Sequence, residues 1–292
     1  MPHSATTAAQ ADGHAHADAG GALHVGPPVA RTFGPRPQAY TERAATCMAD
    51  FLDHFGLPPG QALLAAGGGN SFSDMGTRLL RDLDPPLPAV DLLALAFHTP
   101  DLDFVKVAGC ALAAQCAGRP DVFSVSGQGV GAPFTALRAL AALHASGQGE
   151  SGALFVFDQT TLPYPEPDLH GGGRDDGGVL LPVASRPGDR SARLVFTDER
   201  PVDGPRQTRA ALREAPGTPL YVLGATLARH LADGEPVGEA VEGSARQLCT
   251  SAWAALAGLW AGLAPGRLVV VADHDPHAGR LFQAGLLPEG AP

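Results

Sequence analysis

Four side chains able to exchange a proton crowd into five positions near the C-terminus: Asp273, His274, Asp275 and His277, in the stretch ADHDPHAG. Carboxylate and imidazole together suit general acid–base chemistry or a metal ion. The plain reading is a solvated loop in which Asp bonds its own backbone. No second cluster of carboxylates or imidazoles accompanies it in the sequence, so no metal is expected. A second candidate is VSGQGVGAPF, residues 125–134, with Gln128 and Gly129 at its centre. Glycines between a strand and a helix let backbone approach a ligand closely, and an amide side chain can donate to a polarised carbonyl. A phosphate cradle is the alternative here, but the turn lacks the GK[ST] of nucleotide loops. The acidic residue that a dinucleotide fold places about 20 residues onward is missing too. His98, just after an apolar run, is either functional or a hydrogen-bonded turn histidine. The four cysteines, Cys47, Cys110, Cys116 and Cys249, show no CxxC spacing and read as buried free thiols, with neither disulfide nor zinc site.

Short apolar runs must carry these groups: 90–97, 122–126, 153–158, 178–185, 193–197, 220–223 and 268–272. Runs this continuous suit strands covered by helices on both faces. Helical patterns lie between and before them, at 39–55, 71–83, 104–117, 135–145, 207–214, 225–231 and 237–263. The alternation predicts an α/β layered fold. Residues 65–70 read as a loop, and the Gly- and Asp-rich stretch 165–178 reads as a long one. Residues 1–36, rich in Ala, Gly, His and Pro, read as a flexible tail that buries too little to offset its ordering entropy. His14, His16 and His24 in it could take up metal adventitiously.

The chain has 292 residues, enough for a large core. A net charge of −10 argues against nucleic acid or anionic membrane as partner, since both reward clustered Lys and Arg. Lys106 is the one lysine, and the remaining basic residues are arginine. Apolar runs fall short of the roughly 18 residues needed to span a bilayer, and no secretory signal pattern opens the chain. Cytoplasm is the expected location.

From residue 71 to 287 the segments also resemble, in order, those of ketosynthase III (3-oxoacyl-acyl carrier protein synthase III), a thiolase-like family. VDLLALAFHTPDLDF resembles its strand and "TPD" loop, and GQGVGAPFTALRAL its nucleophile turn and helix. SGALFVFDQTTLPY resembles the strand before its dimer-facing loop, and GGRDDGGVLLPV its "GDGAGAVVL" entry. LYVLGATLARH resembles its "VPHQAN" step, LCTSAWAAL its "GNTSAAS", and GRLVVVADHDPHAGRLFQAGLL its closing strands. The resemblance implies an αβαβα sandwich of two related βαβαβ halves, here residues 37–185 and 186–292. It implies a homodimer, or a heterodimer with a catalytic ketosynthase, acting on acyl-CoA or acyl carrier protein without a cofactor.

It also implies a Cys nucleophile at the turn, helped by His and Asn. A helix N-terminus stabilises the thiolate, and His and Asn donate to the thioester oxygen. Here the nucleophile position holds Gly129 or Val130, the His position Leu223 or Gly224, and the Asn position Cys249. None of these reproduces the set. The chain is then expected to be a non-catalytic partner subunit, with an interface around Asp158–Tyr164. Two other readings stay open: decarboxylation of a malonyl thioester using Gln128, and new chemistry at the Asp273–His277 segment through His274 and His277.

Overall fold

The continuous apolar runs become inner strands of a sheet system. The computed structural model describes residues 22–36, 42–57, 67–103, 105–166, 169 and 173–290. Strands β1 (His24–Val25), β2 (Val29–Phe33), β3 (Val90–Phe97), β4 (Gly118–Val125), β5 (Ser151–Asp158) and β6 (Asp176–Ala184) come first. They are followed by β7 (Ala192–Pro201), β8 (Leu220–Leu223), β9 (Ala240–Glu242), β10 (Val269–Asp275) and β11 (Arg280–Pro288).

The pairings repeat. In the first half β2, β6, β5, β3 and β4 lie side by side; in the second, β7, β11, β10, β8 and β9 do. Directions match as well: β5 and β10 each run parallel to an inner neighbour, β3 or β8, and antiparallel to β6 or β11. Strand β1 pairs with both β6 and β7 and joins the halves into one 11-stranded sheet.

Helices form three layers around this sheet. Between the halves lie α4 (Ala132–Ala145) and α7 (Ser251–Leu259). Outside the first half are α2 (Phe72–Asp82) and α3 (Ala108–Ala113); outside the second, α5 (Gly204–Leu212) and α6 (Ala225–His230). Helix α1 (Glu42–His54) precedes them in sequence. Strand alternation sorts the side chains. Leu154 and Val156 of β5 join Val269 and Val271 of β10, with Phe134 and Trp253, in the central core. Ala153, Phe155 and Phe157 face α2 through Phe72, Met75 and Leu79. Val270 and Ala272 pack with Leu223 and Leu227. Each fully buried side chain of this size stabilises the fold by about 1.5–3 kcal/mol.

Four expectations need correction. The stretch 22–36 is not a flexible tail: β1 and β2 are built into the sheet, and His24 is buried with Nδ1 3.0 Å from Glu289. Sheet pairing overrides its loop-like composition; His14 and His16 lie outside the described residues. The 237–263 pattern is not one helix. Gly243 follows the short strand β9, which pairs with β8, and a loop precedes α7. Helical structure in 104–117 shrinks to α3. Of the cysteines, only Cys249 is buried; Cys47 and Cys110 are exposed.

Candidate functional site

The C-terminal ends of β3, β5, β8 and β10 open toward the central helices, where open α/β sheets place their ligands. Strand β4 leaves the sheet through Gly127, Gln128 and Gly129 into a 3₁₀ turn, Gly129–Gly131, that runs into α4. Gly129 has φ +51°, a conformation natural to glycine. Its carbonyl accepts a hydrogen bond from the Cys249 thiol, S···O 3.2 Å. Gly224 leads into α6, and the next N–H, of Ala225, donates to Ser251 Oγ at 3.0 Å. The turn, the β8–α6 step and the start of α7 therefore meet, which unites Gly129, Gly224 and Cys249.

Carboxylates fill the space that side chains at these positions would need. A Cβ on Gly129 would lie 2.9 Å from the Asp275 Cγ and closer still to its Oδ2. A Cβ on Gly224 would lie 2.7 Å from Asp273 Oδ1 and closer still to Cγ and Oδ2. Neither position admits a side chain while these two carboxylates keep their places. The carboxylates are anchored: Asp275 Oδ1 accepts from the N–H of His277 and Ala278 at 2.8 and 3.1 Å. Asp273 Oδ1 accepts from Leu227 and His274 at 3.0 and 2.8 Å.

A third carboxylate, Asp158 at the end of β5, ties the halves together. It accepts from the N–H groups of Leu248, Cys249 and Thr250 at 2.9–3.0 Å, and from Thr250 Oγ1 at 2.5 Å. It thus occupies the N-terminus of α7, where free N–H groups favour an anion. Burial raises the Asp158 pKa, and the bonds from Thr250, Leu248 and Cys249 oppose the rise. Burial lifts Asp273 to about 7, with Asp158 and Asp275 adding to the effect. The Cys249 thiol is pushed well above its ordinary value, first by burial and then by Asp158, Asp273 and Asp275. A nucleophilic cysteine needs the reverse, an electropositive and reachable setting; Cys249 is 2% exposed.

The remaining candidates part company. Asp273, His274 and Asp275 do not form a solvated loop: β10 continues through them and all three are buried. Strand alternation points His274 to the outer layer, where its ring stacks on His230 with centroids 4.0 Å apart. Burial, then His230, lowers the His274 pKa to about 4, and its buried Nδ1 finds no partner among the described residues. His230, also lowered by burial, has Nε2 3.0 Å from Thr208 Oγ1. His277 is exposed in the β10–β11 turn. His98 is half-buried at the end of β3, with Nδ1 unpartnered among the described residues. The Gln128 side chain is exposed. Nor is Asp158–Tyr164 a surface: Asp158 through Leu162 are buried within the chain itself.

Sequence reasoning assigned Asp158 no part in the site. Its signal was a carboxylate closing the apolar run ALFVFD, at the strand end where the site lies. Among the described residues, no group of three or more His, Cys, Asp or Glu could hold a metal, and no helix is long and apolar enough to cross a membrane.

No protein-family model matches the sequence, and no curated protein matches it. Solved structures do match by fold. A tetronic acid condensing enzyme, AbyA1, aligns with a TM-score of 0.62 at 16% identity, over 92% of this chain and 100% of its own. The acyltransferase ChlB3 gives 0.63 at 15%, over 92% and 98%. The 3-oxoacyl-(acyl carrier protein) synthase III of Pseudomonas aeruginosa gives 0.52 at 14%, over 92% and 98%.

Proposed function

We propose that this chain, which has the thiolase-like α/β fold of the ketosynthase III enzymes, serves fatty-acid or polyketide-type biosynthesis as a non-catalytic partner of an active ketosynthase. One observation supports the reading: the carboxylates of Asp275 and Asp273 take the space that a side chain at Gly129 or Gly224 would need, and the resemblance to ketosynthase III puts its nucleophile and histidine at or next to those two positions. Carboxyl groups there leave no room for the donors with which a condensing enzyme stabilises a thiolate and a thioester oxyanion. The thiol at this centre, Cys249, is buried with three carboxylates acting on it.

A surface for the partner is at hand. Strand β4 closes one end of the sheet and pairs only with β3 among the described strands. Its Val122 is 38% exposed, and Val107, just before α3, is 66% exposed. The Val122 side chain reaches Gly109 of α3, so the open edge and the apolar patch adjoin. An open, apolar edge strand is a ready template for another chain. No observation favours the decarboxylase alternative, because the Gln128 side chain is exposed.

The test has two arms. The purified chain is incubated with acyl-CoA and with acylated carrier protein and weighed intact; unchanged mass is expected, and an acyl adduct on Cys249 would refute the proposal. The chain is then co-expressed with a ketosynthase from the same genome that retains Cys, His and Asn. A stable complex is expected, weakened by Val122→Arg; a monomer indifferent to that substitution counts against the partner role.

A further inference from the structure

On the outer layer of the first half, the acidic residues of α2 are already paired within the chain. Asp74 meets Arg36 at 2.8 Å and Asp82 meets Arg31 at 2.7 Å. Lys106, the one lysine of the sequence, is exposed, and its ammonium has no ion pair among the described residues. The nearest carboxylate along the chain, Asp103, gives its Oδ1 to the backbone N–H of Lys106 at 3.2 Å. Lys106 stands between Val105 and Val107, which are 49% and 66% exposed. Strand alternation completes the setting. Val122 and Ser124 lie opposite Leu93 and Leu95, on the face covered by α3, and Val122 reaches Gly109 there. Asp121 and Phe123 lie opposite Leu92 and Ala94, on the face of the central core. From Asp121 to Val125, the face of β4 turned toward α3 therefore carries no carboxylate. An unpaired cation is set in an apolar patch beside the open edge.

We infer that Lys106 selects what this surface accepts: it rejects a second copy of this chain and admits a different chain that brings a carboxylate to it among apolar side chains. The inference rests on the partner role proposed above and gives that partner its chemistry. Two copies paired through β4 would run antiparallel about a two-fold axis normal to the sheet, with both α3 faces on one side. Two ammonium groups would then enter one apolar contact, and neither β4 nor α2 has a carboxylate free to meet them. Stripping water from an unpaired charge opposes the gain from burying the valines. Lysine beside an edge strand is a recognised means of refusing edge-to-edge pairing. A partner's carboxylate reverses the sign, because a close charge pair within an interface adds to affinity and fixes register.

Sedimentation of the purified chain tests the rejection, under reducing conditions because Cys110 is exposed. The natural chain and Lys106→Arg are expected to show no pairing through β4 at concentrations up to about 0.1 mM. Lys106→Val is expected to dimerise, and adding Val122→Arg to abolish the dimer. A natural dimer that Val122→Arg dissolves, or a Lys106→Val chain that stays monomeric, overturns the inference. The admission is tested on the complex with the co-expressed ketosynthase. Lys106→Glu is expected to weaken it by at least about tenfold, and Lys106→Arg to change it little. A complex indifferent to Lys106→Glu overturns the inference and leaves the partner role standing. The absence of any complex overturns the partner role, and this inference with it.

Discussion

The two halves share a strand order, yet their equivalent strand ends are used in opposite ways. In the first half β5 ends in Asp158, opposite His98; in the second, β10 reaches Asp273 opposite Gly224, one step past the paired Ala272 and Leu223. Asp158 reaches across the central layer and collects four hydrogen bonds from the start of α7. Asp273 and its neighbour Asp275 make fewer bonds and instead occupy space beside two glycines. A buried carboxylate can thus act as a tie where donors saturate it, or as a plug where shape admits it.

The sharpest break in this comparison is removal of the tie. Asp158→Ala leaves three buried N–H groups without acceptors, and urea unfolding should show a loss of about 3–5 kcal/mol. Smaller, and opposite in meaning for the plug, is Gly129→Cys. It places Cβ against Asp275 at positive φ and should cost about 2–4 kcal/mol without any acylation by acyl-CoA. Adding Asp275→Gly should recover most of that stability, and no recovery would show that Asp275 is not the obstacle.

Asp273→Asn should stabilise. The seated pKa of about 7 lies above the ordinary 3.8, so the natural carboxyl weakens the fold progressively as pH rises between those values. The variant should gain up to about 2–4 kcal/mol at pH 8 and almost nothing at pH 4, read as a difference in Tm that widens with pH. Gln128→Ala should have the smallest effect. Its side chain is exposed, so stability should change by under about 0.5 kcal/mol. Release of CO2 from malonyl carrier protein should be equal in both proteins, and a loss in the variant would restore Gln128 to a catalytic role.

Much of this contrast could be read from residues alone, and the reasons for the rest are physical. Apolar runs such as ALFVFD and LVVVA announced the inner strands, because only a sheet covered on both faces can hide them. The resemblance to ketosynthase III had grouped Gly129 or Val130 with Leu223 or Gly224 and Cys249, and the turn at 129–131, the β8–α6 step and the start of α7 do lie together. β1 and β2 were hidden because their residues suit a coil, and the rest of the sheet holds them. The roles within ADHDPHAG were hidden for a subtler reason. Once β10 runs on to Asp275, the period-two alternation sends both aspartates inward and His274 outward. Read as a loop, the same residues have no assigned face. Asp158 was passed over because its donors are backbone groups 90 or more positions away.

The fit between Gly129 and Asp275 also bears on how such a chain can change over generations. A side chain at 129 clashes while Asp275 remains, and a smaller residue at 275 leaves a gap while Gly129 remains. Gly224 and Asp273 repeat the bind. A larger residue at 129 or 224 is thus expected to need a smaller one at 275 or 273 in the same chain. Each glycine and its aspartate therefore form one unit of shape, and a change on either side is tolerated only with an answering change on the other.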